Sequence, residues 1–163
     1  MKKIDEKLEL EEVDMYVLFA RMFADITKEV EVRFGQEGLD AIREGVRQFG
    51  LKRGQNIAAR AQAMGHEISP EFYLSCYDMG RSDYFTSDDK VSKERVEQDF
   101  TQCVFADTWT KDGTQKYGIH YCEMIDPAIA EGYCSNFKCI HDKHFFKDGM
   151  CHFVFEMDQK DKE

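Results

Sequence analysis

The sequence is poor in basic residues. Its 163 residues include 22 Lys and Arg against 32 Asp and Glu, which gives a formal net charge of −10. Binding to a phosphate backbone needs clustered Lys and Arg, and anionic membrane surfaces attract the same residues. The composition therefore argues against nucleic acids and membranes as partners.

Long apolar runs are also missing. The N-terminal stretch MKKIDEKLELEE has no apolar segment after its lysines, which disfavours a signal peptide. No run approaches the length of a membrane span. We therefore expect a cytoplasmic protein, in which cysteines stay reduced. The six expected free thiols are Cys76, Cys103, Cys122, Cys134, Cys139 and Cys151.

Motifs for nucleotides and metals are absent. The sequence contains no GxGxxG, P-loop, GxSxG or HExxH pattern. Late Cys and His residues suggest zinc, but no CxxC pair exists and His141 and His144 would lie on opposite faces of a strand. We therefore expect neither a metal nor a cofactor. The residues considered for zinc are Cys134, Cys139, His141, His144 and His152.

What the sequence does contain predicts a folded globule. Hydrophobic residues make up 42% and aromatic residues 13%, which is typical of a protein with a packed core. The length fits one domain over 1–163, with frayed ends at 1–12 and 158–163. A homo-oligomer remains open.

The first half of the chain has helical spacing of its apolar residues. The pattern predicts one helix over Glu11–Phe34, ended by Gly35, and a second from Leu39 to Gly65. Gly50 and Gly54 share one face of the second helix, which indicates the close approach of another element or of a ligand. Ser69-Pro70 begins a short third helix that runs to about Met79.

The second half mixes strands with one helix. We predict a loop over Arg81–Ser92, a strand over Lys93–Cys103 and a helix over Thr114–Gly132 that bends at Pro127. Two alternating segments, Phe137–Asp142 and Cys151–Met157, flank a turn and predict a hairpin. The expected fold is α+β, with a helical N-terminal half packed on a short antiparallel sheet that ends in a C-terminal β-hairpin.

One pair of residues has the spacing of a reactive site. Cys122 and Asp126 are four residues apart, so a thiol and a carboxylate share one helix face, and Gly118 leaves room one turn earlier. The alternative is core packing for Cys122 and a cap at the helix bend for Asp126. Cys151 is a second candidate thiol, and a Cys–His pair with His120 or His152 remains open.

Several ordered segments resemble the L-2-amino-thiazoline-4-carboxylic acid hydrolase family. The resemblance covers Phe19 to Phe155, and it departs from the family where Val104, often a proline there, follows Cys103. The segments are Phe34-Gly35-x2-Gly38-x3-Ile42, Arg47-x2-Gly50-x3-Gly54, Cys103, Tyr121-Cys122-x3-Asp126-x2-Ile129-x2-Gly132-Tyr133 and Gly149-x-Cys151-x-Phe153-x-Phe155.

The resemblance implies a hydrolase that opens a cyclic amidine-like ring, as in the conversion of 2-aminothiazoline-4-carboxylate to N-carbamoyl-cysteine. The partner would be a small-molecule substrate. Residue chemistry at these positions suggests Cys122, Asp126, Cys151 and His120 as catalytic residues. The expected substrate-binding residues are Arg47, Gly50, Gly54, Tyr121 and Cys103. The alternatives are a non-catalytic small-molecule-binding or sensor domain on the same fold, and a redox or metal-binding protein.

Overall fold

The structure, a computed structural model, describes residues 12–80 and 82–158. The frayed ends predicted at 1–12 and 158–163 fall almost wholly outside the described residues. The elements are α1 (Met15–Ala63), α2 (Pro70–Tyr73), β1 (Phe85–Val91), β2 (Arg95–Cys103), α3 (Val104–Asp112), α4 (Gln115–Tyr133), β3 (Phe137–Lys143), α5 (Phe145–Asp148) and β4 (Cys151–Met157).

The four strands form one antiparallel sheet in the order β1-β2-β4-β3. The helices α1 and α4 pack together, and β4 is the last element along the chain, so the α+β fold predicted from the sequence is confirmed. The hairpin of β3 and β4 pairs Cys139 with Phe155. Its connection holds the single helical turn α5 before Gly149, whose φ of 71° is in the left-handed region.

The predicted loop over Arg81–Ser92 is wrong, because it contains strand β1. Position 81 is outside the described residues, but Phe85–Val91 pairs with β2 along its length. Ser87 and Asp89 lie at half-buried positions of this strand. Polar residues at such positions hide the alternation that normally reveals a strand.

Gly35 divides α1 into two arms, 15–34 and 36–63. Its φ of 59° and ψ of −139° are not helical, so the predicted helix end at this glycine is confirmed. The two arms contact α4 in opposite directions, and the chain therefore reverses at Gly35. The contacts that show this are Glu31 with Lys116 and Phe19 with Tyr121 for the first arm, and Arg43 with Glu123 and Gly54 with Tyr133 for the second.

The glycines of the second arm serve helix packing. A Cβ at Gly54 would lie 2.1 Å from the carbonyl oxygen of Ile129, and one at Gly132 would lie 2.2 Å from that of Leu51. A Cβ at Gly50 would lie 2.6 Å from the Cβ of Ala128. The space beside Gly50 and Gly54, which were expected to bind substrate, is therefore filled by α4.

Trp109 joins three helices in the core. It is fully buried, and its indole Nε1 donates a hydrogen bond of 2.7 Å to the carbonyl oxygen of Ala20. Its ring lies where a Cβ at Gly118 would approach within 2.2 Å. Phe23 and Tyr121 contact the same ring. One side chain of α3 thus fixes the first arm of α1 against α4.

Among the residues that the structure describes, no helix combines the length and apolar character that a membrane crossing requires.

Candidate functional site

A cavity of about 510 Å³ lies between α4 and the inner face of the sheet. Gly80, Asp83 and Thr86 line it and are exposed, so its mouth lies at β1 and the segment before it. Aromatic rings form most of its apolar wall. These rings are Tyr73, Tyr77, Phe85, Phe100, Phe105, Tyr121, Phe153 and Phe155.

One face of α4 supplies the reactive groups of the cavity. Cys122 and Asp126, one helical turn apart, both line it, together with Tyr121. Cys103 at the end of β2 and Cys151 at the start of β4 line the same space. The structure therefore brings together five residues that the sequence suggested, while their roles in chemistry stay predictions.

Asp126 is a half-buried carboxylate with an altered acidity. Burial raises the pKa of Asp126 to about 6, and the positive charge of Arg53 acts in the opposite direction. No described residue donates a hydrogen bond to this carboxylate. A carboxylate that receives no hydrogen bond from the described residues and has a pKa near neutrality is suited to accept a proton or to bind a cation.

The three cavity thiols are protonated at neutral pH. Burial is the main cause in each case: it raises the pKa of Cys103 to about 11, that of Cys151 to about 12, and that of Cys122 well above its ordinary value. The charge of Asp126 adds to each of these increases. None of the three is therefore a preformed thiolate nucleophile.

Arg53 is the one arginine among the described residues that line the cavity, and the sequence analysis did not single it out. Its Nε and Nη2 donate hydrogen bonds of 3.0 Å and 2.7 Å to the two carboxylate oxygens of Asp78. Burial is the largest single influence on the pKa of Arg53 and lowers it, but the hydrogen bond to Asp78 and the nearby charges of Tyr77, Asp78 and Tyr121 together raise this pKa above its ordinary value. The ring of Tyr77 lies 5.2 Å from the guanidinium carbon. In the sequence, Arg53 could have been noticed because it directly precedes Gly54, which belongs to the motif shared with the family.

Two further predicted site residues, besides Gly50 and Gly54, lie outside the cavity. Arg47, expected to bind substrate, is bonded at 2.8 Å to Glu131 on the outer side of α4. His120, expected to be catalytic, lies 3.4 Å from Arg43, and burial lowers its pKa. Neither side chain lines the cavity, because both lie on the solvent side of the contact between α1 and α4.

Several buried polar atoms at the cavity have no partner. The hydroxyl of Tyr73, the Oγ of Ser82 and the Nε2 of His141 are buried without a hydrogen bond to any described residue, and all three residues line the cavity. An unsatisfied buried group costs about 1–3 kcal/mol. Such atoms are ready to accept hydrogen bonds from a ligand or to donate them to one.

The residues considered for zinc do not gather around one point. Within 12–80 and 82–158, no three His, Cys, Asp or Glu side chains are arranged to hold a metal ion. Cys134 donates to the side-chain oxygen of Asn136, and His152 pairs with Asp142. None of the six cysteines forms a disulfide bond. The prediction that the native protein needs no zinc awaits elemental analysis.

Comparison with known proteins gives one result at the level of family. Residues 15–155 match the family model described as L-2-amino-thiazoline-4-carboxylic acid hydrolase. No curated protein and no solved structure matches the chain significantly. The match supports a hydrolase-like function in general. It spans well over half of the 163 residues, and the chain belongs to the L-2-amino-thiazoline-4-carboxylic acid hydrolase family.

Proposed function

We propose that the protein hydrolyses the carbon–sulfur bond of a cyclic amidine of the 2-aminothiazoline type. The observation that carries this proposal is Asp126, a carboxylate with a pKa of about 6 that faces the same cavity as Cys122 and Cys151. Membership of the family supports hydrolysis in general, and the cavity supports a cationic ring as the group that reacts.

The first step is recognition of the amidinium. A carboxylate binds an amidinium strongly because the hydrogen bonds between them are charge-assisted, and Asp126 has no competing donor among the described residues. Aromatic rings favour cations over their faces, and Tyr73 and Tyr77 line the cavity as well. Protonation makes the ring carbon between nitrogen and sulfur more electrophilic.

Attack on that carbon needs a base. Water is the nucleophile in this proposal: its oxygen bonds to the ring carbon while Asp126 takes its proton. The carbon–sulfur bond then breaks and the sulfur takes a proton from a thiol of the cavity. The hydroxyl on the carbon gives its own proton back to that thiolate and becomes the urea carbonyl. The thiols of Cys122 and Cys151 are protonated, so either can supply the proton that the departing sulfur requires.

A covalent route through Cys122 uses the same base. The protonated thiol would pass its proton to Asp126 and attack the ring carbon, and the ring carbon–sulfur bond would break as its sulfur takes a proton. The carbon would then be attached to Cys122 as an isothiourea. Water would attack this carbon, the bond to Cys122 would break, and the thiol would take back a proton as the urea product leaves. The two routes differ in whether a substrate-derived group becomes attached to Cys122 during turnover.

Arg53 is the residue that we propose for the substrate carboxylate, in place of Arg47. Its Nε and Nη2 are engaged by Asp78, and Nη1 makes no hydrogen bond to a described residue. A guanidinium fixed on one side by Asp78 keeps its geometry while its remaining donors bind a second carboxylate.

The test is incubation of the purified protein with 2-aminothiazoline-4-carboxylate. Chromatography should detect N-carbamoyl-cysteine, and the product should react as a free thiol. Mass spectrometry of the quenched protein should show unmodified Cys122 if water attacks directly. Absence of product from this and related thiazolines, with the protein folded, would contradict the proposal.

Ligand binding without turnover is the second candidate function. The raised pKa values of all three cavity thiols favour it, because none is an activated nucleophile. In that case the amidine should bind, and binding should weaken in Asp126→Asn, but no thiol product should form.

A further inference from the structure

The cavity is larger than the ring in the family's name. At about 510 Å³ it lies within the range that accommodates drug-sized ligands. A molecule the size of 2-aminothiazoline-4-carboxylate would leave much of it unfilled. The rest of the cavity therefore carries information about the substrate.

The unfilled part is aromatic. Phe105 contacts Phe85 at 5.4 Å and Tyr121 at 5.6 Å between ring centroids, which links the mouth at β1 to the reactive face of α4. Phe100 and Phe153 contact each other at 5.8 Å on the sheet. Such a lining favours a flat apolar group, because rings gain from tilted and offset contacts with other rings.

Polar groups mark both ends of this aromatic region. Near the mouth, Asp89 accepts hydrogen bonds from Ser87 at 2.7 Å and from Gln98 at 2.8 Å. In the interior, the hydroxyl of Tyr73 has no hydrogen-bond partner within 12–80 and 82–158, although the residue is only 1% exposed. Tyr73 and Asp126 line the same cavity, so one ligand can reach both groups.

We propose that the substrate is a cyclic amidinium that carries an attached or fused aromatic group. The amidinium is held at Asp126, the aromatic group occupies the space lined by Phe85, Phe100, Phe105 and Phe153, and the hydroxyl of Tyr73 bonds to a polar atom of the ligand. This inference rests on the proposed function, because it extends the ligand of the same site.

The test compares three probes by isothermal titration calorimetry at neutral pH. They are 2-amino-2-thiazoline, its 4-phenyl derivative and the uncharged 4-phenylthiazolidin-2-one. The phenyl amidine should bind about tenfold or more tighter than the bare ring, because a phenyl group is buried. It should also bind tighter than the uncharged compound, and this preference should vanish in Asp126→Asn. Equal affinity for the phenyl and bare amidines would overturn the inference.

A matched pair of variants tests where the phenyl group lies. Ser87 is half-buried, lines the cavity and pairs with Phe100 across the sheet, so Ser87→Leu should narrow the aromatic region. This variant should lower the affinity for the phenyl amidine about tenfold and leave the affinity for 2-amino-2-thiazoline nearly unchanged. Thr101→Leu, at an exposed position of β2, should change neither affinity. Phe100→Trp replaces Ser87→Leu if that variant unfolds, and no effect of a folded narrowing variant would contradict this placement.

The two proposals fail differently. Tight binding of the phenyl amidine without release of a thiol would contradict the proposed hydrolysis and support the proposed ligand class. A higher kcat/KM for 2-aminothiazoline-4-carboxylate than for its phenyl-substituted analogue would retain hydrolysis and overturn the ligand class.

Discussion

The cavity side and the solvent side of α4 both carry carboxylates, but these carboxylates differ in burial and in hydrogen bonding. On the solvent side, Glu123 accepts a 2.7 Å hydrogen bond from Arg43, and Glu131 accepts one of 2.8 Å from Arg47. On the cavity side, Asp126 receives no hydrogen bond from a described residue, and burial raises its pKa to about 6. Paired surface carboxylates contribute little to stability. Their oxygens are already bonded to arginines and are less available to a ligand. The unpaired carboxylate is the one available to a ligand.

Turnover should show the largest difference between the two sides. Asp126→Asn removes the proposed base and cation anchor while nearly preserving volume, so kcat/KM should fall by about a hundredfold or more. The kcat/KM of Glu123→Gln, a substitution on the same helix, should remain near that of the wild type. The measurement is the initial rate of thiol release from the thiazoline, with melting temperatures as the control. Near-normal turnover in folded Asp126→Asn would place the base elsewhere.

The pH profile of the wild type sharpens the same point. Because the carboxylate form of Asp126 is required, kcat/KM should fall as the pH drops below about 6. Glu123→Gln should show the same acidic limb. A rate that is flat from pH 5 to pH 8, a range of roughly three units around this value, would show that Asp126 does not titrate in the reaction.

Asp126→Asn should make the protein more stable at neutral pH. A carboxylate whose pKa rises from 3.8 to about 6 on folding opposes folding at neutral pH by at most about 3 kcal/mol. This cost is absent below the unfolded pKa, grows between the two values and is complete above the folded one. Urea unfolding should therefore show a stabilised variant at neutral pH and little difference near pH 3, roughly one unit below the unfolded value. A variant that is less stable at neutral pH would contradict the burial argument.

Substitution of the two arginines should separate substrate binding from surface pairing. Arg53→Gln should raise the KM for a carboxylate-bearing thiazoline by about tenfold, as expected for one lost charged hydrogen bond, with a smaller effect on a thiazoline that lacks the carboxylate. Arg47→Gln should change neither KM, because Arg47 pairs with Glu131 outside the cavity. An equal increase for both thiazolines in Arg53→Gln would indicate a purely structural role beside Asp78.

The smallest expected effect concerns thiol reactivity. Because Cys122 is protonated, its alkylation by iodoacetamide at neutral pH should be several-fold slower in the folded protein than after denaturation. Peptide mass spectrometry would follow each cysteine separately. Rapid modification of Cys122 in the folded protein would instead indicate an activated thiolate and favour the covalent route.

Much of the fold could be predicted because its signals are local. Helical spacing and Gly35 predicted the two arms of α1, and alternation predicted the hairpin of β3 and β4. Strand β1 was missed because Ser87 and Asp89, which line the cavity, interrupt the apolar pattern. The property that makes this strand useful at a binding site is the one that conceals it in the sequence.

Only the part of the site that lies on a single helix could be predicted from the sequence. The spacing of Cys122 and Asp126 predicts a shared face, but the choice between Arg47 and Arg53 depends on which side of α1 meets the cavity. These two residues are six positions apart and so lie roughly 120° from each other around the helix. The position of Tyr73 depends on contacts across the whole fold, for which the sequence offers no local signal.

Trp109 gives this protein an internal optical reporter. It is the single tryptophan of the chain, it is fully buried, and its ring contacts Tyr121, which lines the cavity. Its fluorescence comes from one site, so the emission maximum can follow the separation of α1, α3 and α4 during unfolding without an added label. Ligands that displace Tyr121 should also alter the intensity, which makes a simple titration in a cuvette informative about the cavity.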